Sequence, residues 1–512
     1  LMKVDVLALG MLSAMRRCLD LRAALRGERW RLADIPAEDP HTYDMICAAD
    51  TVGVFQIESR AQMSMLPRLQ PRVFYDLVVE VAIVRPGPIE GGMVHPYLKN
   101  RARALRGEPI DYPQGLEAAL ARTYGVPIFQ EQVMQVAMIA AGFSPGEADQ
   151  LRRAMAAWKR PGDLQGFYDK IVQGMRARGY EEAFAESIFR QIKGFASYGF
   201  PESHAASFAL LTYVSSWLKC HEPAIFLAAL LNSQPLGFYT PSQLVQDARR
   251  HGVEVRPADV AHSELDCRLE PRTDRPDPAV RLGLRLVAGL SSAAAQRIVA
   301  ARAQAPFAHA QDLARRAELG QGELQQLAAA DALASLAGHR RQQVWQASAL
   351  QRQLPLLADA EPIEPELVLP AATEGEEVLW DHAALGLSLR SHPLQLLRPQ
   401  LRRRGLHSSA ELQDWPAGRL ARACGIVTVR QRPQTAKGTL FISLEDEHGY
   451  VQVIVWKDVY QAHRSLILNA RLLAVSGTWL RGDGGVQHLL ARRFQDLSPL
   501  LGRLPTASRD FH

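Results

Sequence analysis

The stretch Gly194-Phe-Ala-Ser-Tyr-Gly-Phe-Pro-Glu-Ser-His-Ala-Ala-Ser-Phe-Ala-Leu-Leu-Thr-Tyr-Val-Ser-Ser-Trp-Leu-Lys219 is the most informative part of this chain. Pro201 and the two glycines keep its first half out of a helix, and Ser203 stands at an N-cap position ahead of an apolar helical series. We therefore expect a helix to begin near His204. Its first backbone N–H groups, with the Ser203 hydroxyl and the His204 ring, would form a seat for a phosphate. An ordinary capped core helix without a ligand is the alternative.

The composition places the chain among multidomain globular proteins. It has 512 residues, 47% hydrophobic and 22% charged, which excludes a fibrous or mainly disordered chain. A net charge of +5 is compatible with a polyanionic partner but is too small to establish one. The five cysteines are widely spaced and odd in number, without a signal peptide or a long apolar run, which favours a reducing cytoplasm over secretion or a membrane.

A second helix start is predicted at Gly142-Phe-Ser-Pro-Gly-Glu147, where Ser144 is the N-cap and Glu147 completes a capping box. The helix that follows carries basic residues seven apart, which share one helical face. They are Arg152 with Lys159 and Arg153 with Arg160. Such a stripe is usually a solvated charged face, and the more specific alternative is an anion-binding site.

Near the start of the chain, residues 3–9 alternate and are rich in branched side chains, which predicts a short strand. Asp5 interrupts this otherwise apolar segment. A carboxylate there is expensive to bury unless a cation pairs with it. Asp5 is therefore either a metal ligand or a strand-end residue that faces water, and spacing alone does not separate the two.

The segment 282–299 predicts a helix, a tight turn and a second helix, with Gly289 in the turn. It resembles a helix-hairpin-helix, which offers backbone N–H groups to a DNA phosphate without reading sequence. A plain helical turn is the alternative. Residues 352–378 are rich in Pro, Glu and Ala and are expected to form a linker, followed by a helix over 381–397 that Ser391-His-Pro393 ends or kinks.

Short alternating strands are predicted from residue 419 to 497. The run Phe441-Ile-Ser-Leu-Glu-Asp-Glu-His-Gly-Tyr-Val-Gln-Val-Ile-Val-Trp456 reads as a strand, an acidic turn and a second strand, as in an OB-fold barrel. Such barrels bind single strands with basic and aromatic side chains. The candidates are Arg430, Arg432, Lys437, Phe441 and Trp456, and the alternative is that the two aromatic rings belong to the barrel core.

The segment Tyr198-Gly-Phe-Pro-Glu-Ser-His-Ala-Ala-Ser-Phe208 resembles a signature in the fingers of bacterial C-family DNA polymerases of the polymerase III alpha-subunit type. Four further segments agree with this family in order and spacing. They are Lys3-Val-Asp-Val-Leu-Ala-Leu-Gly10, Thr51-Val-Gly-Val-Phe-Gln-Ile-Glu-Ser59, Arg85-Pro-Gly-Pro-Ile89, and Tyr124-Gly-Val-Pro-Ile-Phe-Gln-Glu-Gln-Val-Met-Gln135 running on to Leu151-Arg-Arg-Ala-Met155. The resemblance covers about 200 residues.

The resemblance implies a multidomain α+β protein with largely helical fingers, a helix-hairpin-helix module and a C-terminal OB-fold β-barrel. The expected domains are the end of the palm at 1–35, the fingers at 36–235, the helix-hairpin-helix duplex-binding domain at 236–350, a linker with a helix at 351–415, the OB-fold at 416–500 and a tail at 501–512. The chain opens inside the strand predicted at 3–9, so we expect it to be the C-terminal part of a longer protein.

The resemblance also implies a reaction, in which a primer 3′-hydroxyl attacks the α-phosphorus of a deoxynucleoside triphosphate and pyrophosphate leaves. Three aspartates would hold two Mg²⁺ ions, with Asp5 as the third and Lys3 beside it. The first two, a Pro-Asp-x-Asp pair, have no counterpart in this sequence. The candidates on the nucleotide side are Arg85, Arg152, Arg153, Ser203 and His204.

Two family branches compete, the replicative alpha subunit and the damage-induced error-prone polymerase. Three segments look like the error-prone branch: Gly338-His-Arg-Arg-Gln342, the run from Arg430 to Glu447, and Ser508-Arg-Asp-Phe-His512. The chain also ends about a dozen residues past the predicted barrel, where replicative subunits carry a further domain. A different class of function stays open, a non-catalytic nucleic-acid-binding fragment, because one carboxylate cannot hold two hard cations.

The expected partners are primer-template DNA, deoxynucleoside triphosphates, the sliding clamp and an accessory mutagenesis protein. The clamp prediction rests on Gln353, Leu354, Leu356 and Leu357, which resemble the short clamp-binding peptide of bacterial polymerases. Such peptides bind by placing apolar side chains in preformed pockets. Pro355 and Leu357 depart from the usual pattern, so we expect weak affinity, and a plain linker is the alternative.

Overall fold

The computed structural model describes residues 8–157, 165–195, 200–349, 367–433, 436, 438–482, 485–506 and 508–511. The chain divides into two compact units. The helical unit comprises Arg31–His221 with Asp483–Val486. The mixed unit comprises Leu1–Trp30, Glu222–Gly482 and Gln487–His512. None of the described helices is both long enough and apolar enough to cross a membrane.

The first helix of the chain, α1 (Leu9–Arg26), belongs to the mixed unit, and the helical unit follows it. The helices of this unit are α2 (Pro40–Cys47), α3 (Arg60–Leu69), α4 (Phe74–Ile83), α5 (Pro86–Glu90), α6 (Val94–Leu105), α7 (Glu117–Leu120), α8 (Gln130–Ala141), α9 (Pro145–Ala157), α10 (Gln165–Ala177), α11 (Glu182–Phe195) and α12 (Glu202–His221).

The core of the helical unit is the contact between α4 and α12. Helix α4 is buried along most of its length, and α12 lies against both α4 and α2. Hydroxyl groups inside α12 are satisfied within the helix itself, because Thr212 donates to the carbonyl of Phe208 at 2.9 Å and Ser216 donates to the carbonyl of Thr212 at 2.8 Å. These polar side chains can therefore stay in an apolar contact.

The predicted capping box of α9 is confirmed. The backbone N–H of Ser144 donates to Glu147 Oε2 at 2.9 Å, and the N–H of Glu147 donates to the Ser144 hydroxyl at 3.4 Å. Two donors that a helix start leaves unpaired are thus satisfied reciprocally.

A close approach of two backbones fixes α5 against α11. A Cβ atom on Gly194 would lie 2.7 Å from the Cα of Gly91 and 2.8 Å from the carbonyl oxygen of Gly87. Only glycine permits helices to come so near, because any side chain would push α5 away. Arg85 is the N-cap of α5, so this contact also fixes the position of the Arg85 backbone.

The mixed unit continues with helices and a small sheet. Its elements are α13 (Pro223–Asn232), α14 (Pro241–Arg250), β1 (Val255–Arg256), β2 (Arg268–Glu270), β3 (Ala279–Arg281), α15 (Ser292–Gln304), α16 (Ala310–Arg316), α17 (Gln321–Ala329), α18 (Ala334–Ala337), α19 (Arg340–Ala349), α20 (Glu374–Leu385), α21 (Pro393–Arg403) and α22 (Ser409–Gln413).

The small sheet has the order β1-β3-β2, with β1 parallel and β2 antiparallel to β3. Its three strands each bring one arginine to the carboxylate of Glu270, at distances of 2.8 Å for Arg256, 3.1 Å for Arg268 and 3.0 Å for Arg281. Burial opposes ionisation of this carboxyl, but the hydrogen bonds from Arg281 and Arg256 outweigh it and lower the pKa of Glu270 to about 2.

The last part of the mixed unit is a closed barrel. It is formed by β4 (Leu420–Gln431), β5 (Leu440–Glu445), β6 (Tyr450–Val455), α23 (Lys457–Ala462), α24 (Arg464–Asn469), β7 (Leu472–Arg481), β8 (Gln487–Asp496) and β9 (Arg509–Phe511). The strand order is β5-β6-β8-β7-β4, and pairing of β4 with β5 closes the ring. β6 runs parallel to β8, whereas the other pairs within the ring are antiparallel, and β9 adds to β4 outside it.

The barrel confirms the strand, turn and strand that the sequence predicts around the acidic turn. Its interior is filled by alternate apolar residues of all five strands. At Gly477 the register shifts, and a Cβ there would lie 2.0 Å from the carbonyl oxygen of Leu490. Glycine is therefore required where β7 and β8 pass at the bulge.

The interval predicted as a linker, 352–378, is wrong at its end, residues 374–378; residues 367–373 form no helix or strand, and 352–366 lie outside the described part of the chain. Helix α20 begins at Glu374, where the N–H of Thr373 donates to Glu376 Oε2 at 2.9 Å and Glu376 returns its N–H to the Thr373 hydroxyl at 3.4 Å. The Pro- and Glu-rich composition hid this capping box. The predicted break at Ser391-His-Pro393 is confirmed, because α21 begins at Pro393 with His392 as its N-cap. The segment 381–397 is thus the end of α20 and the start of α21, separated at residues 386–392.

Candidate functional site

Arg85 is the N-cap residue of α5, and its guanidinium donates two hydrogen bonds. Its Nε donates to the carbonyl of Val81 at 3.1 Å, and its Nη2 donates to Gln56 Oε1 at 2.7 Å. The guanidinium also stands over the ring of Phe200 at 4.9 Å from the centroid. A cation fixed this firmly, on a half-buried surface, can bind a multiply charged anion without losing much side-chain entropy.

His204 belongs to the same cluster. Its ring packs edge-on against Phe200, with centroids 4.9 Å apart, and lies 4.1 Å from the ring of Phe208. Burial lowers the pKa of His204 below its ordinary value, and the positive charge of Arg85 lowers it further. The imidazole is therefore neutral at neutral pH and can donate one hydrogen bond, but it adds no positive charge.

Ser203 is not the N-cap that the sequence predicts. Helix α12 begins one residue earlier, at Glu202, so Ser203 is exposed in its first turn and its carbonyl accepts from the Ser207 hydroxyl at 2.9 Å. The N–H of Glu202 donates to Glu131 Oε2 at 3.1 Å. A carboxylate from α8 therefore already stands at the start of this helix, where the sequence predicts a phosphate.

Arg152 and Arg153 share one carboxylate. Arg152 donates to Asp149 Oδ1 at 2.8 Å, and Arg153 lies 2.8 Å from Asp149 Oδ2. The hydrogen bond from Arg152 lowers the pKa of Asp149, with the charge of Arg153 adding to it. Helix α9 packs against α11, the helix that also supports α5. Asp149 stands three and four residues before the two arginines, a spacing that by itself predicts ion pairs on one helical face.

The hairpin at Gly289 differs from the predicted helix-turn-helix. Its first arm is a 3-10 turn over 284–286, because β3 and the N–H of Leu282, which donates to Arg256, keep the preceding residues in the small sheet. The second arm is α15, capped by Ser291. Gly289 is exposed and has φ of +81°, a conformation that only glycine adopts readily.

Arg430 is not an available contact for DNA. Its side chain is only 5% exposed and donates to the carbonyl of Ile467 at 2.8 Å, as well as to Ala470 and Ser508. The arginine holds the end of α24 against the barrel, because β-strand alternation turns this position toward protein. The sequence prediction for Arg430 is therefore wrong.

Two other barrel residues are accessible. Arg432 is exposed, with its guanidinium 5.2 Å from the ring centroid of Tyr460. Trp456 is 53% exposed at the N-cap of α23, whereas Phe441 is half-buried. Trp456 therefore does not belong to the barrel core, which was the alternative for this residue. Its ring is accessible to a nucleic acid base.

Several predicted residues lie outside the described part of the chain. They are Lys3, Asp5, Lys159, Arg160, Lys437 and the clamp-peptide residues Gln353, Leu354, Leu356 and Leu357. Gln56, which contacts Arg85, was not among the predicted site residues, although it lies within the family motif at residues 51–59. That motif, with Gly53 three residues before Gln56, was the available signal.

The comparisons with known proteins agree with this arrangement. Residues 11–179 match the family model for the finger domain of the bacterial DNA polymerase III alpha subunit, residues 252–343 match a helix-hairpin-helix motif, and residues 421–497 match the OB-fold nucleic acid binding domain. The chain is therefore similar to the bacterial C-family DNA polymerases, and its finger domain is of the polymerase III alpha-subunit type.

Relatives named error-prone DNA polymerase match along the whole of this chain. The protein of Alkalilimnicola ehrlichii is 60% identical over 513 residues, that of Bordetella bronchiseptica 59% over 519 and that of Burkholderia pseudomallei 60% over 529. Each match covers 100% of this chain and 50%, 49% and 49% of the relatives, respectively. The chain therefore spans about half the length of the curated relatives it matches. The predicted fold class, multidomain α+β with a helix-hairpin-helix and an OB-fold barrel, is confirmed.

Proposed function

We propose that this chain is the part of an error-prone DNA polymerase that binds the incoming nucleotide and contacts primer-template DNA. The observation that carries the proposal is the 60% identity, along the whole chain, to a protein named error-prone DNA polymerase. The reaction is attack of the primer 3′-hydroxyl on the α-phosphorus of a deoxynucleoside triphosphate, with loss of pyrophosphate. The alternative function is that of the replicative alpha subunit. The relatives' names favour the error-prone polymerase.

The nucleotide side of the site is the cluster around Phe200. Arg85 supplies the fixed positive charge and His204 supplies a neutral hydrogen-bond donor beside it. Arg152 and Arg153 would reach a triphosphate by exchanging one carboxylate, that of Asp149, for phosphate oxygens. Because both are more than a third exposed, that exchange costs little.

The metal side of the site is assigned to Asp5, with Lys3 beside it. Two Mg²⁺ ions held by Asp5 and two further aspartates would lower the pKa of the primer hydroxyl and neutralise charge on the leaving oxygen. Asp5→Asn in the full-length polymerase should abolish magnesium-dependent primer extension while primer-template binding stays within a few fold. Extension above about a tenth of wild type would overturn the assignment, since loss of a metal ligand should cost well over a factor of ten.

The arginines of α9 are tested by kinetics. Replacing both Arg152 and Arg153 by Ala in the full-length polymerase should raise the KM for nucleotide by roughly tenfold or more, since each charge-assisted hydrogen bond contributes about 1.5–3 kcal/mol. DNA affinity should hardly change. Asp149→Asn is the matched control, because it frees both arginines and should not raise the KM. Weakened DNA binding with an unchanged KM would place these arginines on the template instead.

The DNA side comprises the hairpin at Gly289 for the duplex and the barrel, with Arg432 and Lys437, for single strands. We also assign the protein to damage-induced mutagenesis in the cytoplasm, with an accessory mutagenesis protein as partner. Deletion of the gene should lower mutation frequency after DNA damage and leave undamaged growth unchanged. Arrested growth without damage would favour the replicative reading.

Clamp binding is assigned to Gln353, Leu354, Leu356 and Leu357. The double substitution Gln353→Ala, Leu356→Ala should remove clamp-stimulated synthesis and leave basal extension intact, because the apolar side chains that fill the clamp pockets are lost. Equal stimulation of mutant and wild type would assign clamp contact to a partner protein.

A further inference from the structure

The loop at residues 51–57 holds Gln56 in a strained backbone conformation. Gln56 has φ of +65°, in the left-handed region that residues with a side chain rarely adopt. Such outliers persist only where the surrounding structure enforces them, and they concentrate at functional sites.

Three hydrogen bonds enforce this conformation. The buried Thr51 hydroxyl donates across the loop to the carbonyl of Ile57 at 2.7 Å, and the N–H of Val54 donates to the carbonyl of Thr51 at 3.1 Å. The N–H of Phe55 donates to the Ser215 hydroxyl of α12 at 3.2 Å. The loop is therefore tied to the same helix that carries His204.

This backbone conformation directs the side-chain amide of Gln56 toward Arg85. Gln56 Oε1 accepts from Arg85 Nη2 at 2.7 Å, while Arg85 Nε donates to the carbonyl of Val81 at 3.1 Å. Phe55 also packs edge-on against Phe208, 5.2 Å between centroids, and Phe208 in turn contacts His204. The loop, Arg85 and the start of α12 thus form one connected cluster.

We propose that Gln56 is a positioning residue for the incoming nucleotide, which orients Arg85 toward the triphosphate through a neutral acceptor. This rests on the proposed function of Arg85. The chemical reason is charge. A carboxylate at this distance would orient the guanidinium equally well but would offset its charge, whereas Asp149 offsets only one of the two charges of Arg152 and Arg153. An amide oxygen can orient the guanidinium without adding a negative charge of its own.

The test uses the full-length polymerase and single-nucleotide primer extension. Gln56→Gly removes the amide and suits the left-handed backbone, so the unfolding temperature should stay equal or rise while the KM for nucleotide rises about three- to tenfold. Gln56→Glu keeps the size and the acceptor but adds a negative charge, and should raise the KM by about tenfold or more. In both variants kcat at saturating nucleotide should change less than the KM.

Gln70→Gly is the matched control. Gln70 also has a left-handed backbone, with φ of +51°, and lies in the same unit, but its amide donates to the neighbouring carbonyl of Pro67 at 3.0 Å rather than to a cation. It should show the same change in unfolding temperature and no change in KM. Adding Gln56→Gly to Arg85→Ala should raise the KM no further than Arg85→Ala alone.

The outcomes separate the two proposals. If Arg85→Ala raises the KM while Gln56→Gly and Gln56→Glu leave it within twofold of wild type, the positioning role is overturned and the function of Arg85 stands. If Arg85→Ala itself leaves the KM unchanged, the assignment of Arg85 to the nucleotide fails, and the role of Gln56 fails with it.

Discussion

The Nε of Arg430 lies 2.8 Å from the carbonyl oxygen of Ile467, at the end of α24. The sequence predicts Arg430 as a DNA contact, but its side chain is only 5% exposed and stabilises the barrel from within. The same strand leads two residues later to Arg432, which is exposed. The pair gives a direct test of which basic residues of the barrel serve stability and which serve binding.

Arg430→Ala should lower the free energy of unfolding by about 2–4 kcal/mol, because buried carbonyl groups lose their donors. Arg432→Ala should change it by less than about 1 kcal/mol, since only an exposed cation–π contact is lost. Binding of single-stranded DNA should instead depend on Arg432. Arg432→Ala should weaken this binding and lower its salt dependence by the amount expected for about one lost phosphate contact. Urea unfolding and fluorescence titration measure the two effects. Equal loss of binding in folded Arg430→Ala would contradict the division.

Glu80 gives a pH-dependent prediction. Its side chain is fully buried in α4, neither carboxylate oxygen has a hydrogen-bond partner in the structure as described, and burial raises its pKa well above the ordinary value. The folded state therefore keeps a proton that the unfolded chain releases above about pH 4.5, so the stability at this position falls as pH rises.

Glu80→Met should consequently stabilise the protein, by more at pH 8 than at pH 6. Glu147→Gln is the control of opposite sign, because the hydrogen bond from Lys170 lowers the pKa of Glu147 to about 2, with further hydrogen bonds from Ser144. Its loss of stability should be nearly the same at both pH values, both of which lie above the unfolded pKa. The urea midpoint at pH 6 and pH 8 measures both. A gain for Glu80→Met that does not grow with pH would show that the carboxyl is ionised when folded.

Gly194→Ala should move α5 away from α11, because the added Cβ meets the backbone of Gly91 and Gly87. We expect a loss of about 1–3 kcal/mol in the free energy of unfolding and a raised KM for nucleotide, since α5 carries Arg85 at its start. Gly146→Ala is the control, as a Cβ there meets nothing within 4 Å in α9 and should be neutral or stabilising. Calorimetry and primer extension provide the two readouts. Destabilisation with an unaltered KM would separate the helix contact from the nucleotide site.

Gly289→Ala should weaken binding to duplex DNA. The exposed turn needs φ of +81°, and a change of its conformation would turn backbone N–H groups away from a phosphate. Gly252→Ala imposes similar strain at φ of +80° on an exposed residue just after α14. Both should lower stability by about 1 kcal/mol, and only the first should reduce duplex affinity in an anisotropy titration. Equal affinities for the two variants would remove the hairpin from the duplex contact.

Local signals in the sequence determined much of this protein. The capping box at Ser144, the strands on either side of the acidic turn, and the family itself follow from residues close together along the chain. Caps, turns and alternation act over a few residues, so a single sequence carries them. Family motifs work for the same reason, because each is a short segment whose chemistry needs those residues at that spacing.

Only the tertiary structure decided what partners each polar side chain has. Arg430 and Arg432 look alike in sequence, yet one is buried against carbonyl groups from α24 and the other faces water. Ser203 has the residue type of an N-cap, but α12 starts earlier and receives a carboxylate from Glu131, 71 residues away. Gln56 reaches Arg85 across 29 residues. Hydrogen bonds and burial join atoms that are near in space, and distance in space between such residues is set by packing of the whole fold rather than by any local pattern.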